Sequence, residues 1–517
     1  MKYPIGIQTF DKIREDGFVY VDKTALVYNL VTGSHVVFLS RPRRFGKSLL
    51  LSTIKAYFLG KKPLFEGLAM EHLETKWNKY PVFHLDFNGK NFTVAETLNN
   101  ALLDFIDDIE KEYGITDKKR DVGERFKTVL ATASEQYGRK AVVLVDEYDK
   151  PLLDVMNTPI EQQNREILKG FYSVFKLAEE YLQFVMLTGV TKFSQISVFS
   201  GFNQPKDISM DARYEAICGI TEEELDAYFT GRMQEMADVA GISTERMRAE
   251  IKNMYDGYHF SERMTDIYNP FSLLNALSKG MLDSYWFRSG TPTYLIRLME
   301  NFDENIDEIT GKYYNTSQFV DYRADKQLPL PMIYQSGYLT IKDYNPYSRS
   351  FKLDFPNNEV KGGFLTMVAN SYLKSKKDSA SWCINTVNAL AVGDTDEFRR
   401  LLTAFFAGIP YSQRRRQTAA EQERDFQYTF YLILRMISSY LVFIEKETSE
   451  GRADCVIETR DYVYIFEFKR DGTAAEALAQ IAAKGYAREY AADTRRVFLI
   501  GCNFSTATGT VSDWAIE

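Results

Sequence analysis

Residues 36 to 58, VVFLSRPRRFGKSLLLSTIKAYF, constrain this chain more than any other stretch. The apolar run Val36 to Leu39 predicts a buried strand. A loop carrying the triplet Gly46, Lys47, Ser48 follows, and then a stretch of helical period begins. Strand, loop and helix in that order form the frame of a phosphate-binding loop. Backbone N–H groups of such a loop and of the helix N-terminus converge on an anion, which suits a triphosphate. ATP is therefore the expected ligand. Lys47 is expected to reach its β- and γ-phosphates, and Ser48 to place a hydroxyl on Mg²⁺. Arg44, Phe45, Gly46 and Leu49 complete the expected binding stretch. The motif departs from its usual pattern at position 41, where arginine stands in place of glycine.

A second apolar run, Val142 to Val145 within KAVVLVDEYDKPL, leads directly into Asp146 and Glu147. Continuous apolar runs of this kind are expected of parallel strands buried on both faces. Ligands of such sheets bind at the carboxyl ends of the strands, where these two acids fall. Asp146 is expected to hold Mg²⁺, and Glu147 to activate the attacking water. Asp149 reads as a helix cap or as a partner of these groups. PVFHLDFNG (81 to 89) and YLQFVMLTGVTKFS (181 to 194) predict two further strands. The second ends in Thr188, Thr191 and Lys192, and Thr188 is placed against the γ-phosphate or the lytic water. FVYV (18 to 21) predicts a short strand, followed by Asp22 or Thr24 as a cap and Lys23 as a surface charge. Strands alternating with helices predict a P-loop three-layer α/β/α domain over residues 1 to 215.

The chain has 517 residues, too many for one core. Its net charge of -8 gives no global pull towards nucleic acid, so any such contact must use local basic patches. Four scattered cysteines fit neither a zinc nor a disulfide framework. With no signal-like start and no long apolar run, a cytoplasmic chain with no membrane contact is expected.

Residues 216 to 345 predict a helical, winged-helix-like region. ITEEELDAYF starts a helix with Thr221 as cap and Glu224 three residues on, and YNPFSLLNAL starts another at Pro270. The aromatics Tyr255, Tyr258, Phe260, Tyr268 and Phe271 read as core, and His259 as structural. Residues 346 to 420 read as a helical connector ending near Arg414, Arg415 and Arg416, which lie in a mixed-charge run.

The last block, 421 to 517, predicts an α/β domain. ERDFQYTFYLILRMISSYL reads as an amphipathic helix, and Asp454 falls on a strand after it. YVYIFEFKRD carries Glu467 and Lys469 two residues apart, hence on one face of the next strand. AAEALAQIAAKGYAREY then reads as a helix and VFLIGCNF as a strand. Charges inside an apolar strand are costly unless paired or bound to metal. Two carboxylates and an ammonium at one sheet edge suit Mg²⁺ and attack on a phosphodiester, with Asp454 and Glu467 holding the ion.

Taken together, YVDKT, LSRPRRFGKSLL, VVLVDEYDKPL, MYDGYHF, YNPFSLLNAL, YQSGYLTI and GRADCVIE…YIFEFKRDGTAAEALAQI…GYA resemble a bacterial family. Its members join an AAA-ATPase-like domain to a C-terminal domain of the PD-(D/E)XK nuclease superfamily, whose fold is restriction-endonuclease-like. The resemblance covers essentially the whole chain, and Arg41 looks like a trait of the family. It implies Lys47 and Ser48 as the Walker A pair, Asp146 and Glu147 as the Walker B pair, and Asp454, Glu467 and Lys469 as the nuclease-like core. It also implies Gln480 and Lys484 as a trailing polar motif and Glu423 as an additional acidic ligand. Ala453 stands where the superfamily has proline.

The expected function is an Mg²⁺-dependent ATPase coupled to a nuclease-like domain acting on DNA or RNA. The alternative is a nucleotide-switch regulator whose C-terminal domain binds nucleic acid or a protein without cutting. A homo-oligomer enters through the basic loop, if one of its arginines acts on a neighbour's phosphate.

Overall fold

The computed structural model describes residues 1–116, 121–192, 205–289, 309–320, 330–364, 379–407, 441–448, 451–459, 461–505, 507–508 and 510–517. They divide into two compact units, Met1–Lys361 and Gly362–Glu517. Glu423, Arg414 to Arg416 and the amphipathic stretch before residue 441 lie outside the described residues.

In the first unit the apolar runs become strands β1 (Val36–Ser40), β2 (Val82–Asp86), β3 (Ala141–Asp146) and β4 (Leu182–Gly189). A short β5 (Lys206–Asp207), absent from the sequence reading, completes a parallel sheet in the order β2-β3-β4-β1-β5. β4 thus lies in space between the loop-bearing strand and the acidic strand, while β2 falls at the edge. β3 is buried along its whole length. Each of Val142 to Val145 contributes roughly 1.5–3 kcal/mol through lost apolar exposure. The register sets Leu39 beside Thr188 and Val145 beside Leu187, so the polar strand ends stand level.

Helices cover the sheet. α1 (Thr24–Gly33) precedes β1, and α2 (Lys47–Phe58) follows it. α3 (Thr97–Glu112), α4 (Val122–Tyr137) and α5 (Pro159–Leu177) supply the other crossovers. The predicted strand at 18 to 21 does not form. Val19 and Val21 instead pack on the apolar cluster of the helical region, so their alternation serves packing without a neighbouring strand.

That region holds α6 (Glu222–Ala240), α7 (Thr244–Tyr255) and α8 (Pro270–Lys279). A two-stranded antiparallel sheet of β6 (Ile220–Thr221) and β7 (Ile267–Tyr268) joins them. Thr221 and Glu224 form the expected capping box, and the Asn269 side chain caps α8 ahead of Pro270. β8 (Lys312–Asn315), β9 (Thr340–Asn345) and β10 (Ser350–Asp354) form an antiparallel sheet in the order β8-β10-β9.

The second unit is built on a mixed sheet of β11 (Leu441–Thr448), β12 (Gly451–Glu458), β13 (Tyr462–Arg470), β14 (Arg496–Ser505) and β15 (Thr510–Ile516), in that order. β13 and β14 run parallel, and the other neighbours are antiparallel. Tyr464 and Phe466 face one core with Leu390, Phe398 and Leu402. The last three belong to α9 (Ser379–Val392) and α10 (Thr395–Ala407). Val463 and Ile465 face the other core with Ile481, on α11 (Ala474–Lys484). Among the described residues no helix is long and apolar enough to cross a membrane.

Candidate functional sites

At the carboxyl ends of β1, β3 and β4 the chain gathers the first set of predicted residues. Gly46 takes the left-handed conformation (φ 93°) immediately before α2, which a side chain would strain. Lys47 opens the helix with its ammonium buried, donating to the carbonyls of Arg41 at 3.1 Å and Pro42 at 3.3 Å. These bonds offset the cost of burying the charge. The same Nζ stands 3.7 Å from Glu147 Oε1. Ser48 and Leu49 follow on the helix, half-buried, and Arg44 is exposed.

Asp146, the last residue of β3, is buried and accepts the Thr188 hydroxyl at 2.7 Å. The strand-end threonine therefore contacts the acid of the neighbouring strand. Glu147 adopts a left-handed backbone (φ 53°), which costs a non-glycine residue about 1 kcal/mol. Asp149 is fully buried; burial, then the charge of Glu147, pushes its carboxyl up to about 7. Its side chain does not cap the short helix it precedes. It accepts from Val190 and Thr191 instead.

Lys23, expected at the surface, is buried and forms an ion pair with Glu224 at 2.5 Å. Asp22 is the group that meets the start of α1, accepting the Thr24 N–H at 2.8 Å.

The arginine at position 41 is a structural member of the loop. Its guanidinium is buried, donates to Ser209 O at 2.7 Å and to the carbonyls of Tyr214 and Glu215, and lies 3.9 Å from the Phe260 ring centroid. An arginine held this way has no reach to a neighbour's phosphate. Phe45, included for its place in the binding stretch, turns its ring between Tyr258 and Phe260, with centroids at 4.8 and 5.6 Å. Tyr258 donates its hydroxyl to Gly337 O at 3.1 Å, and Trp286 donates its indole N–H to Arg43 O at 3.0 Å. The motifs YDGYHF and YQSGYL thus back the loop after β1. Tyr258 and Phe260 lie buried, as expected of core aromatics, whereas Trp286 carries its contact without any motif to mark it. His259 is structural, its ring nitrogens each 2.7 Å from Ile341 O and Asp266 Oδ1.

The second site lies on β12 and β13. The register that pairs Cys455 with Phe466 brings Asp454 opposite Glu467. Asp454 Oδ2 accepts the Phe468 N–H at 2.8 Å. Glu467 and Lys469 continue the face of Val463 and Ile465, beneath α11. Lys469 donates to Gln480 Oε1 on α11 and stands 3.7 Å from Glu467 Oε1. Glu467 is buried and its Oε2 has no hydrogen-bond partner among the described residues. Burial, then the Asp454 charge, pushes it up to about 7. Lys484, one turn beyond Gln480, is exposed. The carboxylates of Asp454 and Glu467 on facing residues, with Glu467 Oε2 unpartnered among the described residues, fit a hard divalent cation such as Mg²⁺. The strand alternation, which left both faces of VYIFEFK apolar in appearance, resolves once α11 covers the Glu467 face.

Comparison with known proteins bears on both sites. Residues 4–199 match the family described as "Predicted AAA-ATPase". Residues 421–514 match the PD-(D/E)XK nuclease superfamily. The chain is also 35% identical over 528 residues to the "Uncharacterized protein in vnfD 5'region" of Azotobacter chroococcum mcd 1, with 100% of this chain and 99% of the relative covered.

Proposed function

The chain belongs to the AAA-ATPase-like family and carries a C-terminal PD-(D/E)XK nuclease superfamily domain, and from that premise we propose that it hydrolyses ATP and couples the cycle to cleavage of DNA or RNA. The observation that carries the reading is Lys47 Nζ lying 3.7 Å from Glu147, at the strand ends where a triphosphate would sit. In this reading Lys47 exchanges the Arg41 and Pro42 carbonyls for phosphate oxygens. Arg44, Phe45, Gly46 and Leu49 contribute the loop and helix N-terminus that cradle them. Glu147 takes the proton of the attacking water, and Thr188 keeps Asp146 oriented. Ser48 and Asp146 would hold Mg²⁺, which neutralises charge on the phosphates when bound.

At the second site Asp454 and Glu467, with Glu423 as the third acid, would hold Mg²⁺, which acts there as a Lewis acid on the phosphodiester. Lys469, oriented by Gln480, positions or deprotonates the nucleophilic water, and Lys484 meets the nucleic-acid backbone. The finer division at residues 215, 345 and 420, the cytoplasmic setting and a homo-oligomeric assembly belong to the same proposal.

The test is phosphate release by the purified chain with Mg²⁺, alone and with DNA or RNA, beside Lys47→Ala. Turnover by the wild type, lost in Lys47→Ala, supports the reading. Equal phosphate release by both chains contradicts it.

A further inference from the structure

Glu147 is the residue on which hydrolysis would turn, yet its backbone sits in a region that glutamate seldom adopts (φ 53°). Something must hold it there. The segment that follows it is tied to the end of β4 by five hydrogen bonds. Tyr148 donates its N–H to Thr188 O at 3.0 Å and its hydroxyl to Thr191 O at 2.8 Å. Asp149 Oδ2 accepts the N–H of Val190 at 3.0 Å, the N–H of Thr191 at 2.6 Å and the Thr191 hydroxyl at 2.7 Å. Asp149 and Thr191 are both fully buried.

The fit leaves no room for alternatives at β4. A Cβ on Gly189 would lie 2.5 Å from Asp149 Oδ1 and 2.7 Å from the Tyr148 ring. The chain bends directly after Asp146, with the left-handed Glu147 at the bend, and Tyr148 and Asp149 just beyond it are bonded to the end of β4. On the other side of the turn, Thr188 of the same strand end bonds Asp146.

We propose that Asp149 is a positioning residue, whose three-way clamp on Val190 and Thr191 holds Glu147 in its left-handed turn facing Lys47. This deepens the ATPase reading and rests on it. Asp149 is fully buried and acts through the backbone, fixing where the Glu147 carboxylate stands. Asparagine at 149 keeps the volume and one acceptor oxygen but cannot take the negative charge that Asp149 carries at an assay pH of about 8.5, above its own value of about 7, and that strengthens three bonds to one atom.

The experiment compares wild type, Asp149→Asn, Thr191→Val and the double variant. It measures affinity for a fluorescent ATP analogue, steady-state phosphate release and amide hydrogen exchange at residues 189 to 192. Asp149→Asn is expected to bind the analogue within twofold of wild type while kcat falls about tenfold or more, with faster exchange at Val190 and Thr191. Adding Thr191→Val to it should lower kcat by less than a further twofold, because both changes remove one clamp. A kcat within twofold of wild type overturns the inference, as does affinity falling in step with kcat. A wild type that neither binds nor hydrolyses ATP overturns the ATPase reading and this inference together, and the wild-type control tells that case apart.

Discussion

Lys47 and Asp146 rest on partners from their own chain, two carbonyls and a threonine hydroxyl, whereas Glu467 keeps one buried oxygen with no hydrogen-bond partner among the described residues. The groups of the first site are already bonded to one another, so a ligand taken there would have to displace internal bonds. Each holds a buried acid that its surroundings disfavour when charged, but Asp149 Oδ2 accepts three hydrogen bonds where Glu467 Oε2 accepts none among the described residues. The difference follows from construction. The loop after β1 is backed by the rings of Tyr258, Phe260 and Trp286 and by the carbonyls of Ser209, Tyr214 and Glu215, and its lysine is given acceptors. The β13 acid stands on a strand face continuous with apolar Val463 and Ile465, beside another acid, with Lys469 3.7 Å from it. A site completed by a multivalent cation tolerates that arrangement, and a site for a diffusing nucleotide gains from rigidity.

The sharpest way to break this comparison is to disable one site and read the other. Asp454→Ala should lower Mg²⁺-dependent cutting of plasmid or RNA at least about a thousandfold, with ATP turnover within twofold of wild type. Equal cutting by the variant would place the chemistry elsewhere. Glu147→Gln is the counterpart at the first site. It should bind ATP normally and hydrolyse it about a hundredfold more slowly, the usual scale for removing a general base. An unchanged rate would assign the proton transfer to another group.

Glu359 is a further buried acid, linked to the loop after β1 through Trp286. It accepts the Trp286 N–H at 2.7 Å, and burial pushes it up to about 7 from 4.5. An acid with a raised folded pKa binds its proton more tightly when folded. Its contribution to stability is therefore full below pH 4.5 and is lost as pH rises through about 7. Glu359→Gln should match wild type in melting temperature near pH 4.5 and exceed it by several degrees above pH 7. Parallel melting curves across that window would show that Glu359 is not the group responsible. The smallest effect belongs to Lys484, exposed one turn beyond Gln480. Lys484→Ala should weaken nucleic-acid binding a few-fold and lower the slope of log affinity against log salt by about 1. An unchanged slope would remove Lys484 from the backbone contacts.

Much of this molecule was legible in its sequence because it is written in local patterns. The strands at 36, 82, 141 and 182, the capping box at Thr221 and the acids on β12 and β13 all follow from periodicity, runs and caps. What was not legible depends on partners distant in sequence. FVYV has the pattern of a strand but packs against helices, since among the described residues no strand pairs with it. β5 is two residues long and forms only because β1 offers an edge. Arg41, Lys23 and Trp286 take their roles from backbone carbonyls and an acid that lie more than a hundred residues away.

In the proposed cycle Lys47 gives up its internal acceptors for a triphosphate. A crystal structure of Glu147→Gln with Mg²⁺ and ATP tests it directly. The account predicts Lys47 Nζ on phosphate oxygens and released from the Arg41 and Pro42 carbonyls. Nucleotide bound elsewhere, with Lys47 still on those carbonyls, would contradict it.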